Sequence, residues 1–160
     1  YKVMGFHCDQ SQDLEENTLI CILSFYLNPT AQGKRAFVYK QKNDDVENTI
    51  IMEHNSMLIF DTQVNMYHLH KIVLTESKNN EWVGLTFRTS KTFVQFTHVD
   101  KIEQPIPTIN NQPLRFVTDE KEKKEYFFLK GLENKQADFT WPILTYTISP
   151  SNLMRPIVLE

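Results

Sequence analysis

The sequence predicts a mainly β protein built as a sandwich or a barrel-like double sheet. Six or more segments of strand length precede residue 96, separated by loops, and none has the apolar period of a helix. Eleven Phe and six Tyr suit a β-rich interior. With 160 residues, of which 41% are hydrophobic, the chain can bury a core within one domain.

The predicted strands follow one another through this first part of the chain. Residues 18–27 form a continuous apolar run, which is typical of a strand buried on both faces. A turn rich in Pro, Gly and Asn separates this run from a second strand at 35–41. Two short strands are expected within 49–61, broken at the sequence HNS, and an alternating strand is expected at 66–74. Residues 82–96 are expected to form one strand or two in succession.

The remainder of the chain, 97–160, is predicted to be less regular and to pack on the core formed by 1–96. Three prolines predict an extended connection without regular structure: Pro105, Pro107 and Pro113. A helix is expected at 118–135, with Thr118 as its N-cap and acidic residues in its first turn. Residues 139–148 are expected to form a last strand that closes a sheet.

Composition narrows the classes of function and the compartment. The net charge of −3 provides no chain-wide basic surface for nucleic acid or an anionic membrane, although a local basic groove is compatible with it. No apolar stretch approaches the ~18 residues that a membrane-spanning helix needs. Cys8 and Cys21 are too few for a disulfide framework, so we expect free thiols and an intracellular location, cytoplasmic or nuclear.

Histidines and an aspartate form a candidate metal site. His7 and Asp9 stand two residues apart just before the first apolar run. In an extended segment, side chains two apart point the same way, so both can reach one ion while Cys8 points elsewhere. His68 and His70 stand on a later predicted strand, where alternation puts both on one face and does not choose between them. Two His and one carboxylate form the facial triad of non-heme Fe(II) oxygenases.

Three stretches of the chain resemble a known family. The sequences MGFHCDQ, NSMLIFDTQVNMYHLHKIVL and GLTFRTS are similar to the 2-oxoglutarate/Fe(II)-dependent oxygenases, specifically their AlkB-like branch, over about residues 3–91. The resemblance implies a double-stranded β-helix, the jelly-roll or cupin-like sandwich of that family, in agreement with the strand count. The strands and lid that family members carry before the HxD motif are absent here. We therefore expect 1–96 to be the C-terminal part of an oxygenase core, and the chain, which begins at Tyr1, to be a fragment or to have a processed start.

The resemblance also implies roles by position. His7, Asp9 and His70 would be the iron ligands, with His68 as a neighbour. His70 is favoured because the family's metal histidine is followed after one residue by Ile or Val, as it is here. Arg88, which ends the sequence LTFR, matches the family's final arginine. That arginine contacts the carboxylates of 2-oxoglutarate, for which a planar guanidinium is well suited.

One position departs from the family pattern. The AlkB-like branch carries a second arginine six residues before the last one, and Trp82 stands there instead. Three alternatives follow: Arg88 serves both carboxylates, Lys78 or another base substitutes, or co-substrate binding is impaired. The sequence from Arg88 to Ser90 also resembles the R-x-S anchor of other branches, which makes Ser90 a candidate for binding 2-oxoglutarate.

We therefore expect an enzyme that uses Fe(II), O₂ and 2-oxoglutarate. The AlkB-like branch implies hydroxylation or oxidative demethylation of a modified base, with DNA or RNA as the partner and no membrane. Gln10 and His68 are the candidate substrate contacts. Two alternatives stay open. One is a protein or small-molecule hydroxylase of the same superfamily, and the other is a jelly roll that has lost co-substrate binding and serves as a structural or interaction module.

Overall fold

The computed structural model describes residues 5–29, 33–74, 80–99 and 102–153. Over these residues the protein is mainly β, as predicted, with several antiparallel sheets and one long helix. One sheet has the strand order β4-β1-β6, formed by Ser56–Asp61, Leu19–Tyr26 and Trp82–Arg88. A second has the order β3-β2-β5, formed by Asn48–Met52, Arg35–Gln41 and His68–Leu74.

These two sheets face each other across an apolar core. Ile22 of β1, Phe37 of β2 and Met52 of β3 are buried at its centre. Phe60 of β4 and Trp82 of β6 pack against them. Buried and less buried residues alternate along β1, the period expected of a strand with one face in a core.

The outer face of the β4-β1-β6 sheet is apolar and open. The apolar run at 18–27 predicted burial on both faces, and this was wrong because the outward-facing residues of β1 are exposed or only partly buried. Six outward-facing side chains of this sheet are between 44% and 60% exposed: Leu19, Met57, Ile59, Val83, Leu85 and Phe87. This is more contiguous apolar surface than single scattered residues provide.

The strands pair in a nested order. His7 pairs with His70, β1 pairs with β4, and β2 pairs with β3, all antiparallel. The chain from His7 to His70 is therefore one long antiparallel ribbon. The ribbon folds over so that β5 also lies beside β2, while β6 lies beside β1.

The fifth strand starts later than predicted. Residues Thr62–Tyr67 form a short helix, α1, so the strand expected at 66–74 begins at His68. Asp61 starts this helix because its Oδ1 accepts the backbone N–H of Val64 at 2.6 Å. Six residues are too few to leave an apolar period in the sequence.

The proline-containing connection is largely a sheet. Phe93–Val99 (β7), Ile102–Ile109 (β8) and Gln112–Pro113 (β9) pair in that order, which contradicts the predicted absence of regular structure. The N–H of Leu114 donates to the carbonyl of Pro107 at 2.8 Å, so the backbone polar groups of Pro107 point away from β7. Pro105, two residues earlier, faces the same edge. Both prolines are tolerated because, at these positions, no backbone N–H is needed to donate a hydrogen bond to β7.

The predicted helix is present as Glu120–Glu133 (α2), but its N-cap is Asp119 and not Thr118. The Oδ1 of Asp119 accepts the N–H of Glu122 at 2.8 Å. The closing strand expected at 139–148 is reduced to Tyr146–Thr147 (β11), which pairs with β10 at Arg115–Phe116. Pro142 removes a donor from the segment before it. No helix in the described ranges is long and apolar enough to cross a bilayer.

Candidate metal centre

His7, Asp9 and His70 come together at the start of β5. Each offers one ligand atom, and these atoms lie within 4.8 Å of one another. The backbones of His7 and His70 exchange two hydrogen bonds, of 3.0 and 2.7 Å. Strand pairing therefore fixes one histidine beside the other, and the two-residue spacing brings Asp9 to the same side.

His68 does not join this cluster. Its Nδ1 lies 3.0 Å from the carbonyl oxygen of Val64, in the last turn of α1. Its ring packs against Tyr39, with ring centroids 6.2 Å apart. Alternation along the strand could not separate His68 from His70, and the separation comes from the short helix that ends at His68.

His70 is the most buried of the three side chains. Only 6% of the residue is exposed, and its ring stacks on Phe37 with centroids 5.1 Å apart. Burial lowers the pKa of His70 to about 4; nearby His7 also lowers it, while the charge of Asp9 acts in the opposite direction. The imidazole is therefore neutral near pH 7, which is the form that binds a metal.

The carboxylate of Asp9 is shared between two partners. Its Oδ1 lies 3.7 Å from His70 Nε2, and its Oδ2 lies 3.2 Å from an Nη of Arg88. Arg88 is 47% exposed, so it can reach a ligand from this position without leaving the carboxylate. The predicted final arginine and the predicted ligands thus lie in one place.

Asn65 of α1 holds the backbone of Asp9. The Asp9 N–H donates to Asn65 Oδ1 at 2.8 Å, and Asn65 Nδ2 donates to the Asp9 carbonyl at 2.7 Å. Asn65 is 3% exposed. No motif in the sequence singles out Asn65. The one local indication is Asp61, a residue type that favours the start of a helix, which would place Asn65 on a short helix before β5.

The end of α2 fixes the segment that carries Asp9. The N–H of Cys8 donates to Asn134 Oδ1 at 3.1 Å, and the Cys8 thiol points the same way, away from the cluster. The backbone and hydroxyl of Ser11 both donate to Glu133 Oε1, at 2.8 and 2.5 Å. Trp141 Nε1 donates to the same oxygen at 2.8 Å. Both cysteines are free, as predicted.

Two predicted site residues lie elsewhere. Gln10 Nε2 donates to Gln12 Oε1 at 2.6 Å and to the hydroxyl of Tyr126, so its side chain is turned toward α2. The hydroxyl of Ser90 donates to Asp13 Oδ1 at 2.6 Å. Neither side chain is directed at the cluster, and both instead stabilise the loop that follows Asp9.

Trp82 is built into the inner face of β6. Its indole N–H donates to the buried Ser24 Oγ at 2.7 Å. A Cβ at position 84 would lie 2.3 Å from the indole, so a larger residue there would have to displace the Trp82 ring. Trp82 and Gly84 therefore form a matched pair. Lys78, a candidate substitute for the missing arginine, lies outside the described residues.

A cavity of about 200 Å³ lies beside the cluster. Its lining is mostly apolar and aromatic and includes three polar side chains, those of Asn65, His68 and His70. The apolar and aromatic lining residues include Phe37, Tyr39, Leu58 and Phe60. A small apolar pocket with convergent polar groups is the usual form of a ligand site.

Comparisons with known proteins do not assign this arrangement. No protein-family model matches the chain. No curated protein matches it either. Its chemistry therefore has to follow from the residues themselves.

Proposed function

We propose that this chain is the core of an Fe(II)- and 2-oxoglutarate-dependent oxygenase of the AlkB-like type. The observation that carries the proposal is the convergence of His7, Asp9 and His70, with ligand atoms within 4.8 Å of one another and Arg88 bound to Asp9. Two histidines, one carboxylate and open positions on the ion are the donor set of non-heme Fe(II) oxygenases.

The nested strand order supports a double-stranded β-helix for the core. A jelly roll is an antiparallel ribbon folded over into two facing sheets. The ribbon from His7 to His70 pairs in this nested way, and its strands divide between two sheets that share one apolar core. β6 completes the sheet that carries β1.

The three side chains fit a metal ion. Ligand atoms bound to one ion at about 2.1 Å lie about 3 Å apart at adjacent positions. The separation of His70 Nε2 and Asp9 Oδ1, 3.7 Å, needs only a small side-chain movement to reach that value. His7 Nδ1 lies 2.9 Å from the carbonyl of Gly5, which leaves Nε2 as its ligating nitrogen.

The residues around the ligands have separate roles in this proposal. Asn65 fixes the backbone of Asp9, while Arg88 orients its carboxylate. Arg88 also offers its free guanidinium edge to a carboxylate of 2-oxoglutarate. When bound, the iron would couple decarboxylation of 2-oxoglutarate to oxidation of a substrate C–H bond, with one oxygen atom entering succinate and the other entering the substrate.

The substrate predicted from the resemblance is a modified nucleic-acid base. A second candidate, a small apolar molecule or a protein side chain, is favoured by the apolar cavity beside His70. The lysines near His7 also favour this second candidate. Lys40 and Lys71 lie over the ring of Phe6, and each pairs with a carboxylate, Lys40 with Asp45 at 2.8 Å and Lys71 with Glu47 at 3.2 Å. Their positive charges are therefore already balanced and are less suited to bind a phosphate backbone. Formaldehyde released from N-methylated oligonucleotides would separate the first candidate from the second.

The test is metal binding and 2-oxoglutarate turnover by the 160-residue chain. We expect one Fe(II) per chain and succinate formed in its presence. His70→Ala should lose both, and His68→Ala is the matched control, since His68 shares the strand but not the cluster. Wild-type protein that binds no metal and forms no succinate would contradict the proposal and favour a jelly roll with a structural role.

A further inference from the structure

Arg35 is a partly buried residue of β2 whose guanidinium has no acidic partner among the described residues. On β2 it shares a face with Phe37 and Tyr39, which pack in the core between the two sheets. Its Nε is buried and has no hydrogen-bond partner. Within the described part of the chain, no carboxylate pairs with its guanidinium. A buried donor without a partner is costly, and an anionic ligand at this guanidinium would remove that cost.

The surroundings of Arg35 hold it in place. The Arg35 N–H donates at 2.5 Å to the hydroxyl of Tyr26, which in turn donates to the Met52 carbonyl at 2.9 Å. Its guanidinium carbon lies 5.7 Å from the ring centroid of Trp82. Trp82 therefore supplies an aromatic surface against which a cation packs. In the resembling family, that position carries the second arginine.

A line of side chains leads from Arg35 to the candidate metal centre. The ring of Phe37 stacks on His70 at 5.1 Å. In the pairing of β2 with β5, Tyr39 lies opposite His70, and Arg35 lies two inward-facing positions farther along β2, about 13 Å of strand. The Arg35 side chain spans part of this separation, and the part that remains is comparable to the length of a five-carbon diacid. A diacid that chelates an ion at His70 with one end would therefore direct its other end toward the Arg35 guanidinium.

We propose that Arg35 is the anchor for the distal carboxylate of 2-oxoglutarate, in place of the arginine that Trp82 replaces. The inference rests on the proposed function. The planar guanidinium of an arginine can bind a carboxylate through two hydrogen bonds. The ring of Trp82 packs against the Arg35 guanidinium and holds it on the inner face of the sandwich. Arg88 is then left to contact Asp9 and the metal-proximal end of the co-substrate.

The experiment compares two ligands on the 160-residue chain loaded with Mn(II), which prevents turnover. 2-Oxoglutarate carries the distal carboxylate, and 2-oxopentanoate has the same chain length without it. Calorimetry gives the affinity of each ligand for wild type, Arg35→Met and Arg35→Lys. Arg115→Met is the matched control, because Arg115 pairs with Glu122 far along the chain.

Wild type should prefer 2-oxoglutarate by at least about tenfold, the range of a charge-assisted hydrogen bond. Arg35→Met should lose this preference and keep its Mn(II) affinity, whereas Arg35→Lys should keep part of the preference. Arg35→Met should also remain folded, since it removes an unsatisfied buried donor. A preference for 2-oxoglutarate that is unchanged in Arg35→Met would overturn the inference.

A second measurement does not depend on that variant. In the variant Trp141→Phe, in which Trp82 is the sole tryptophan, 2-oxoglutarate should change the fluorescence, and 2-oxopentanoate should change it less, because only the diacid engages the guanidinium over the ring. Equal responses to both ligands would also overturn the inference. Failure of the proposed function itself looks different: wild type would then bind neither Mn(II) nor either oxo acid.

Discussion

Asn65 and Asp9 are joined by two hydrogen bonds, one in each direction between the amide side chain and the Asp9 backbone, at 2.8 and 2.7 Å. This pair couples the short helix α1 to the HxD segment. Asn65 fixes the position of the Asp9 backbone, and Arg88 fixes the orientation of the Asp9 carboxylate. The geometry of the candidate site therefore depends on a residue that binds no ligand.

Replacing Asn65 with alanine should weaken metal binding. Asn65→Ala leaves the Asp9 N–H and carbonyl without partners, and residues that orient ligands typically change metal affinity by about 10–100-fold. Calorimetric titration with Mn(II) measures the effect. Gln63→Ala on the exposed side of the same helix is the control and should bind as wild type does. Equal affinity in Asn65→Ala would remove Asn65 from the site.

The clamp between α2 and the HxD segment should contribute to stability. Glu133 is 3% exposed, and its Oε1 accepts from Ser11 and Trp141. Glu133→Ala should lower the free energy of unfolding by about 2–3 kcal/mol, since hydrogen bonds to a charged group are lost. Urea titration measures this. Glu120→Ala, at the exposed start of the same helix, should change it little, and a similar loss in both variants would contradict the clamp.

The Cys8 thiol should be nearly inert in the folded protein. Burial, with a smaller contribution from the charge of Glu133, raises the pKa of Cys8 from 9.0 to about 11. Because the thiolate reacts, Cys8 in a Cys21→Ser background should label at least about 100-fold more slowly folded than in urea at pH 8. Similar rates in the two states would show that Cys8 is not enclosed by α2.

The same shift has a consequence for stability against pH. A raised pKa in the folded state means that the unfolded chain loses the Cys8 proton first as pH rises. The contribution of this thiol is therefore complete below pH 9.0 and is lost as pH approaches about 11. Cys8→Ala should flatten the decline in unfolding free energy across this interval, and an unchanged decline would contradict the assignment.

The open apolar face should limit solubility. Met57 and Val83, on the outer face of the β4-β1-β6 sheet, are 59% and 57% exposed. The double variant Met57→Lys/Val83→Lys should raise the solubility limit, because it breaks a contiguous apolar surface, and should leave Mn(II) affinity unchanged. The double variant Asn48→Lys/Thr49→Lys, at two exposed positions of the other sheet, adds the same charge and is the control. A fall in solubility or loss of metal binding would contradict this account.

Local patterns predicted much of the fold. Apolar runs and turn residues located the strands from Leu19–Tyr26 to Trp82–Arg88, and acidic residues before an apolar segment located α2. Prolines misled at β8 because only tertiary pairing decides which strand edge faces a partner. The buried outer face predicted for β1 was wrong for the same reason, since covering a face is a tertiary property.

The candidate site was only partly accessible from the sequence. The two-residue spacing and the resemblance pointed to His7, Asp9 and His70. Contacts between Ser11 and Glu133 join positions 122 residues apart, and no local pattern marks such a pair. The inward position of Arg35 also required knowing which strands face each other.

Crystallography with anomalous scattering tests the central claim most directly. Crystals of the chain grown with Mn(II) should contain one ion within about 2.0–2.3 Å of a nitrogen of His7, an oxygen of Asp9 and a nitrogen of His70. His68 should remain on the carbonyl of Val64. Crystals that contain no ion there at saturating Mn(II), or an ion bound through His68 instead of His70, would contradict the account.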